Sequence, residues 1–284
     1  MRGENMAEGK KVKIIVATHK SFRMPEDEMY IPLHVGAEGK KDDNGNDLDL
    51  GFVKDNTGDN ISLKNPGFCE LTGLYWAWKN LDVDYLGLVH YRRHFCLRKT
   101  KDPFDGVLTY SELEPWLAKV RVFVPNKRKY YIETLYGHYK HTHYISQLDE
   151  TRKIIAQKYP GYIPSYDRVV NRTYGYMFNI FIMERCLVNE YCTWLFDILF
   201  ELEKRVREGK VDMPELSAFQ ARLYGRVSEI IFNVWLDYCI HTGKLSESEI
   251  LEMPCIIMEK ISWFKKLIGF LSAKYLGRRY DGSV

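Results

Sequence analysis

With 284 residues, 45% of them hydrophobic, the chain can form one large domain or two small ones around a substantial core. A formal net charge of only +3 argues against a global polyanion-binding role. Cys69, Cys96, Cys186, Cys192, Cys239 and Cys255 form no CxxC pair and read as reduced thiols of a cytoplasmic protein. No signal peptide is expected, and no apolar run approaches the ~20 residues needed to span a bilayer.

Residues 1–11 are polar and expected to be disordered. Val12–Ala17 reads as a buried strand releasing Thr18, His19 and Lys20 at its carboxyl end, where open α/β sheets bind ligands. From Met24 to Gly67 no period is clear. The stretch from Asp55 to Ser62 is rich in groups that could hydrogen-bond a base or ribose, or could form a surface excursion held by Asx-turns. Leu71, Leu74, Tyr75 and Trp78 recur at helical spacing, predicting an amphipathic helix within Phe68–Asn80.

An apolar run, Tyr85 to Val89, then ends in His90-Tyr91-Arg92-Arg93-His94. Two arginines at a strand end suit bidentate pairing with phosphate, or form a solvated strand end. A short helix is predicted over Ser111–Leu117 and a strand over Val120–Pro125. His138, His141 and His143 lie among tyrosines without cysteines or carboxylates at zinc spacing, which suits a sugar better than a metal. A helix over Ile145–Tyr159 precedes a buried strand, Tyr174–Met183. Asn179 interrupts that strand and must bond either the backbone or a ligand.

Glu190–Glu203 reads as helical, and Pro214–His241 as a long helix stopped near Gly243. Arg222, Arg226, Glu229 and Asn233 share one face of it, as a salt-bridge ladder or as a carboxylate held between arginines to act as a base. Residues 260–280 hold six Lys and Arg and no acid. Trp263, Phe264, Leu267, Ile268, Phe270, Leu271 and Tyr275 share one side of a helical wheel there. That pattern suits an anionic membrane surface, or a final helix docked on the domain.

Several segments carry a resemblance: Thr18-His19-Lys20, Ile31–Ala37, Gly58–Ser62 with Lys64-Asn65, Cys69–Asn80, Gly87–Arg93, Asn179–Met183 and Phe219–Arg222. In this order they resemble a bacterial family of glycosyltransferases of capsule and exopolysaccharide synthesis, long described only as a domain of unknown function. The resemblance spans about Val12 to Tyr238. It implies an α/β, GT-A-like nucleotide-diphospho-sugar transferase fold acting on UDP-sugars. Some members are described as galactofuranosyltransferases. One departure is Ile180, where the family more often has Met.

The expectations that follow are a tail at 1–11, a transferase domain at 12–250 and a C-terminal basic helical extension at 251–284. In GT-A enzymes an Asp-x-Asp at a strand end holds a metal on the diphosphate. Here His90-Tyr91-Arg92 stands at that place, and Asp82-Val83-Asp84 lies before the strand, so no metal and no cofactor is expected. His90 and Arg92 are expected to stabilise the leaving UDP, and Glu229 to be the base, with Asp59 and Glu70 as rivals. Thr18, His19, Lys20, Gly36, Asp59, Asn60, Lys64, Tyr91, Arg93 and Asn179 are expected to bind the nucleotide-sugar. His143, Gln220 and Arg222 are expected to meet the sugar or the acceptor.

The function so implied is hexosyl transfer from a UDP-sugar to a lipid-linked saccharide, by a protein peripheral on the inner face of the plasma membrane. The alternative is a non-catalytic nucleotide-sugar-binding regulator or scaffold. A nucleic-acid-binding role fits poorly with the small net charge.

Overall fold

The computed structural model describes residues 9–98, 100–211 and 221–259. The expected N-terminal disorder falls largely outside them. So do Gln220, the start of the predicted long helix and the basic amphipathic tail.

The chain opens with β1 (Val12–Thr18), β2 (Tyr30–His34) and β3 (Val53–Lys54), then α1 (Asn65–Phe68) and α2 (Leu71–Asn80). β4 (Tyr85–His90) and β5 (Arg93–Phe95) follow, then α3 (Tyr110–Leu113), β6 (Val122–Pro125) and β7 (Arg128–Lys129). Three helices, α4 (Leu135–Thr142), α5 (Ser146–Lys158) and α6 (Ile163–Val170), lead to β8 (Tyr174–Gly175) and β9 (Phe181–Glu184). Two long helices, α7 (Arg185–Arg207) and α8 (Leu223–His241), precede β10 (Ile250–Met253) and β11 (Cys255–Ile257).

The main sheet runs β10-β6-β9-β4-β1-β2-β3, with β5 and β11 attached beside β4. β3, β2, β1 and β4 are mutually parallel, and β9 runs antiparallel between β4 and β6. Strands covered on both faces need apolar residues throughout, which is why β1 and β4 read as continuous hydrophobic runs. Ile15 and Ala17 of β1 face the core under α2 and α5–α8, while Val12, Ile14 and Val16 pack on the opposite side with Phe95, Leu108 and Leu113. In register, Thr18 stands opposite His34, and Ala17 opposite His90. The carboxyl ends of β1, β2 and β4 thus open onto one crevice.

Several expectations are corrected. Tyr174–Met183 is not one strand: after β8 the chain turns through Phe178 (φ +77°) and Asn179 (φ +52°) before β9 starts. The turn persists because Asn179 is fully hydrogen-bonded within the protein and Asn tolerates left-handed backbone. The helix predicted within Phe68–Asn80 is broken at Cys69 (φ +54°), so α2 starts only at Leu71. The unperiodic stretch from Met24 contains β2 and β3, which are too short and, with Pro32, too atypical to show a period. The short helix at 111–117 is α3 followed by a 3-10 turn, and α7 begins at Arg185, five residues ahead of the expected start. β10 and β11 continue the sheet to Ile257, past the division expected at 250.

Candidate active site

The rim of the crevice is built where β1 and β4 end. Thr18 is buried, and its hydroxyl donates to the Lys20 carbonyl at 2.7 Å, bending the chain over the strand end. Lys20 then lies with its ammonium 5.1 Å from the Tyr91 ring centre, and His19 meets the same ring edge-on at 5.5 Å. Arg92 pairs with Glu259 at 3.3 Å and Lys20 with the other Glu259 oxygen at 3.5 Å. Partial burial, then the charges of Lys20, Arg92 and Arg222, pushes the His19 pKa down.

Next to the rim is a polar cluster of Glu70, His90, Asn179 and Glu229 with the Phe178 backbone. The Asn179 amide donates to Glu70 Oε1 at 2.6 Å and to the Gly225 carbonyl at 3.0 Å, and its oxygen accepts from Ser228 at 2.9 Å. Asn233 of α8 clamps the same turn, accepting from the Tyr176 N–H at 2.7 Å and donating to the Tyr176 carbonyl at 2.8 Å. His90 Nε2 lies 3.9 Å from Glu70 Oε1 and is buried without a hydrogen-bond partner. Burial lowers the His90 pKa and Arg93 adds to this, so the ring is uncharged at neutral pH.

Glu229 behaves oppositely. Desolvation, then the neighbouring Glu70, raises its pKa to about 7, against the Phe178 backbone, Arg128 and Arg93, which favour the charged form. Arg93 lies 4.3 Å from the Phe178 ring centre and Arg128 5.9 Å, and Arg93 Nε is buried without a partner. Glu229 also interacts electrostatically with Arg222 and Arg226, the two arginines placed on its helix face by the sequence. Arg222 stands just ahead of α8 and donates to Cys69 Sγ at 3.1 Å, the thiol being pushed up to about 11 by burial.

Two helix N-termini converge here, α2 immediately after Glu70 and α8 after Arg222. Their partial positive charges add to those of Lys20, Arg92, Arg93 and Arg222. The crevice therefore offers a cationic rim suited to a phosphate beside a carboxylate that can take up a proton near neutral pH.

The remaining described candidates are Gly36, Asp59, Asn60, Lys64 and His143. Gly36 (φ +68°) follows β2, and a Cβ there would sit 2.4 Å from the Asn65 side chain, so it serves the loop's close approach. Buried Asp55 holds that loop, accepting from the N–H groups of Gly36 (2.8 Å) and Ala37 (3.1 Å) and from the Thr72 hydroxyl (2.6 Å). Asp59 accepts from Tyr75 at 3.2 Å, and its N–H donates to Asn80 at the far end of α2. Asn60 closes its own turn, and Lys64 pairs with Glu203 at 2.7 Å. Among the described residues, none of these three makes a hydrogen bond or ion pair with Glu70, His90, Asn179 or Glu229. His143 ends α4 with its ring edge-on to Tyr139 at 5.0 Å. Glu133 engages both His138 (3.3 Å) and His141 (3.1 Å).

Arg128, Phe178 and Glu259 were not foreseen. The run Lys127-Arg128-Lys129 just beyond a strand could have drawn attention to Arg128. Phe178 has no glycine to announce a left-handed turn, and Glu259 lies beyond the segments carrying the resemblance. Among the described residues no group of three or more His, Cys, Asp and Glu is placed to hold a metal. Asp84 stands at the opposite end of β4, accepting from the Lys11 N–H at 2.7 Å.

The structure is similar to the apo structure of WbbM, a bifunctional glycosyltransferase, with a TM-score of 0.77 and 27% identity. The match covers 88% of this chain and 46% of that one, so this chain spans less than half of that protein. No curated protein matches the chain. The fold is mixed α/β and GT-A-like, as the resemblance implied. Residues 13–240 match the family model described as a domain of unknown function, DUF4422, and the chain belongs to that family.

Proposed function

We propose that the protein is a glycosyltransferase that moves a hexose, galactofuranose being one candidate, from a UDP-sugar to a lipid-linked saccharide in surface-polysaccharide synthesis. The observation that carries this reading is the pairing of Glu229, its pKa raised to about 7, with a cationic rim at the carboxyl ends of parallel strands. In this reading the diphosphate lies against Lys20, Arg92 and Arg93, with Tyr91, His19 and Thr18 shaping the rim. Neutral His90 contributes a hydrogen bond rather than a charge.

Glu229 takes the proton of the acceptor hydroxyl as that oxygen forms its bond to the anomeric carbon. The bond from that carbon to the diphosphate oxygen breaks, and its electron pair leaves with UDP, whose charge the arginines stabilise. Asn179 orients Glu70, whose negative charge keeps Glu229 basic. The guanidinium and ammonium groups at the rim are a poor donor set for a divalent cation, which supports transfer without an Asp-x-Asp metal site. Working at the inner face of the plasma membrane belongs to the same reading, since the acceptor is carried on lipid.

The test is UDP release from a panel of UDP-hexoses with a lipid-diphosphate saccharide acceptor, in EDTA and in manganese. Turnover that survives EDTA and is lost in Arg92→Ala is expected. A manganese requirement would overturn the arginine-for-metal part, whereas UDP-sugar binding with no turnover would favour the regulator. Neither binding nor turnover would overturn the whole reading.

A further inference from the structure

The antiparallel ribbon of β7 and β8 presents an apolar tip that the crevice chemistry does not use. Tyr131 is 81% exposed and Ile132 78%, and Tyr174 on the facing strand is also exposed. Large apolar side chains standing together in water mark a docking surface more often than single ones do.

The tip is held in place rather than hanging loose. Tyr130 N–H donates to the Thr173 carbonyl at 2.7 Å, and Ile132 N–H closes a tight turn onto Tyr130 at 2.7 Å. Tyr131 adopts φ +60°, a left-handed conformation that is strained for an aromatic residue. Both Tyr131 and Ile132 are exposed at this turn. Below the tip, buried Glu133 anchors the loop through His138 and His141.

The charges around the tip select the partner. Lys129 stands opposite Tyr174 in the ribbon, Arg128 is its neighbour, and both are exposed. Lys127 is already paired with Glu252 at 2.8 Å. Between Asn126 and Ile132 the sequence contains no acid, and the next one, Glu133, is buried. Tyrosine and isoleucine stand beside Lys129 and Arg128, neither of which makes an ion pair with a described residue, and exposed Glu252 is already held by Lys127. This matches the interfacial layer of an anionic bilayer. A carbohydrate platform would instead surround its aromatic faces with carboxylates and amides.

We propose that this ribbon is a membrane-docking surface that inserts Tyr131 and Ile132 among anionic lipid headgroups. Arg128 belongs both to the ribbon and to the electrostatic surroundings of Glu229, so docking sets the crevice at headgroup level. The inference goes beyond the transferase reading and does not depend on it.

The experiment is co-sedimentation of the full chain with vesicles of phosphatidylglycerol and phosphatidylethanolamine, and with vesicles of phosphatidylcholine alone. Binding to the anionic vesicles is expected to be about tenfold or more tighter than to phosphatidylcholine. The double variant Tyr131→Ser/Ile132→Ser and the single variant Lys129→Glu should each weaken it by about tenfold, with the basic tail intact and the circular dichroism spectrum unchanged. All three side chains are exposed, so their replacement leaves the core untouched. Undiminished binding by both variants would overturn the proposal and assign lipid affinity to another part of the chain. Absence of binding by the unaltered protein, or an apolar tip that instead pairs two copies in sedimentation velocity, would overturn it as well.

Discussion

Glu229 combines two properties that pull against each other. Its carboxylate is desolvated beside Glu70, which raises its pKa from the ordinary 4.5 to about 7. A general base works best when its pKa is near the working pH, so the same placement that suits chemistry penalises the folded state. Between pH 4.5 and 7 the folded protein holds a proton here that the unfolded chain has released. Stability contributed through this group is therefore lost as pH rises across that window. Glu229→Gln should abolish most turnover, by about 100-fold or more, while donor binding persists. The variant should also be more stable than the parent at pH 8, by about 1–3 kcal/mol, and the gain should vanish at pH 4. In the parent, kcat/KM should fall on the acid side with an apparent pKa near 7. Thermal melts from pH 4 to 8 and a pH–rate profile would check both; equal stability at pH 8 would remove the buried-charge account.

At the scale of elements, the crevice depends on loops held by buried polar anchors. Asp55 connects the turn after β2 to Ser62 and to α2 through Thr72. Asp55→Ala would strand several buried donors and should cost about 3 kcal/mol of stability, read as a lower midpoint in urea. The end of β11 supplies a different control. Glu259 neutralises Lys20 and Arg92 at the rim, so under the proposed function an incoming diphosphate would have to displace it. The pair is partly exposed and correspondingly weak, so Glu259→Gln should lower the donor KM by only about two- to fivefold without changing kcat. A raised KM would instead make Glu259 part of the donor site. Strands β1 and β4 and the helices were legible because burial on one or two faces writes a period into sequence. Arg92, Arg93 and Glu229 drew attention because charged groups stand at the ends or on the faces of such elements, and His90 because it closes β4. Asp59, Asn60 and Lys64 are held by contacts within the protein instead. Polar residues in an unperiodic stretch satisfy one another locally, and sequence does not distinguish that from ligand binding. The left-handed turn at Phe178-Asn179, which ties Glu70 to α8, rests on contacts between segments far apart in the chain.

Across the whole molecule, the sheet is completed by its latest strands. β10 pairs in parallel with β6 at the sheet edge, and β11 pairs antiparallel with β5 beside the rim. Met253, the last residue of β10, is buried in the core with Phe123, Val12 and Ile182. The chain therefore returns after α8 to the region where it began, and the crevice is bounded by residues from both ends of the sequence. Lys20 follows β1 and Glu259 follows β11, yet they meet. Such non-local closure makes the fold depend on residues past 250, although the amphipathic pattern that follows draws the eye to a separate tail. A chain shortened to end at Glu259 should fold with the far- and near-ultraviolet circular dichroism of the full chain. One shortened to end at Glu249 loses both strands, leaves the β6 edge unpaired and uncovers the core around Phe123. It should melt many degrees lower or aggregate. Equal melting of the two shortened chains would show instead that β10 and β11 only dress a sheet already stable without them, in keeping with a domain that ends at 250.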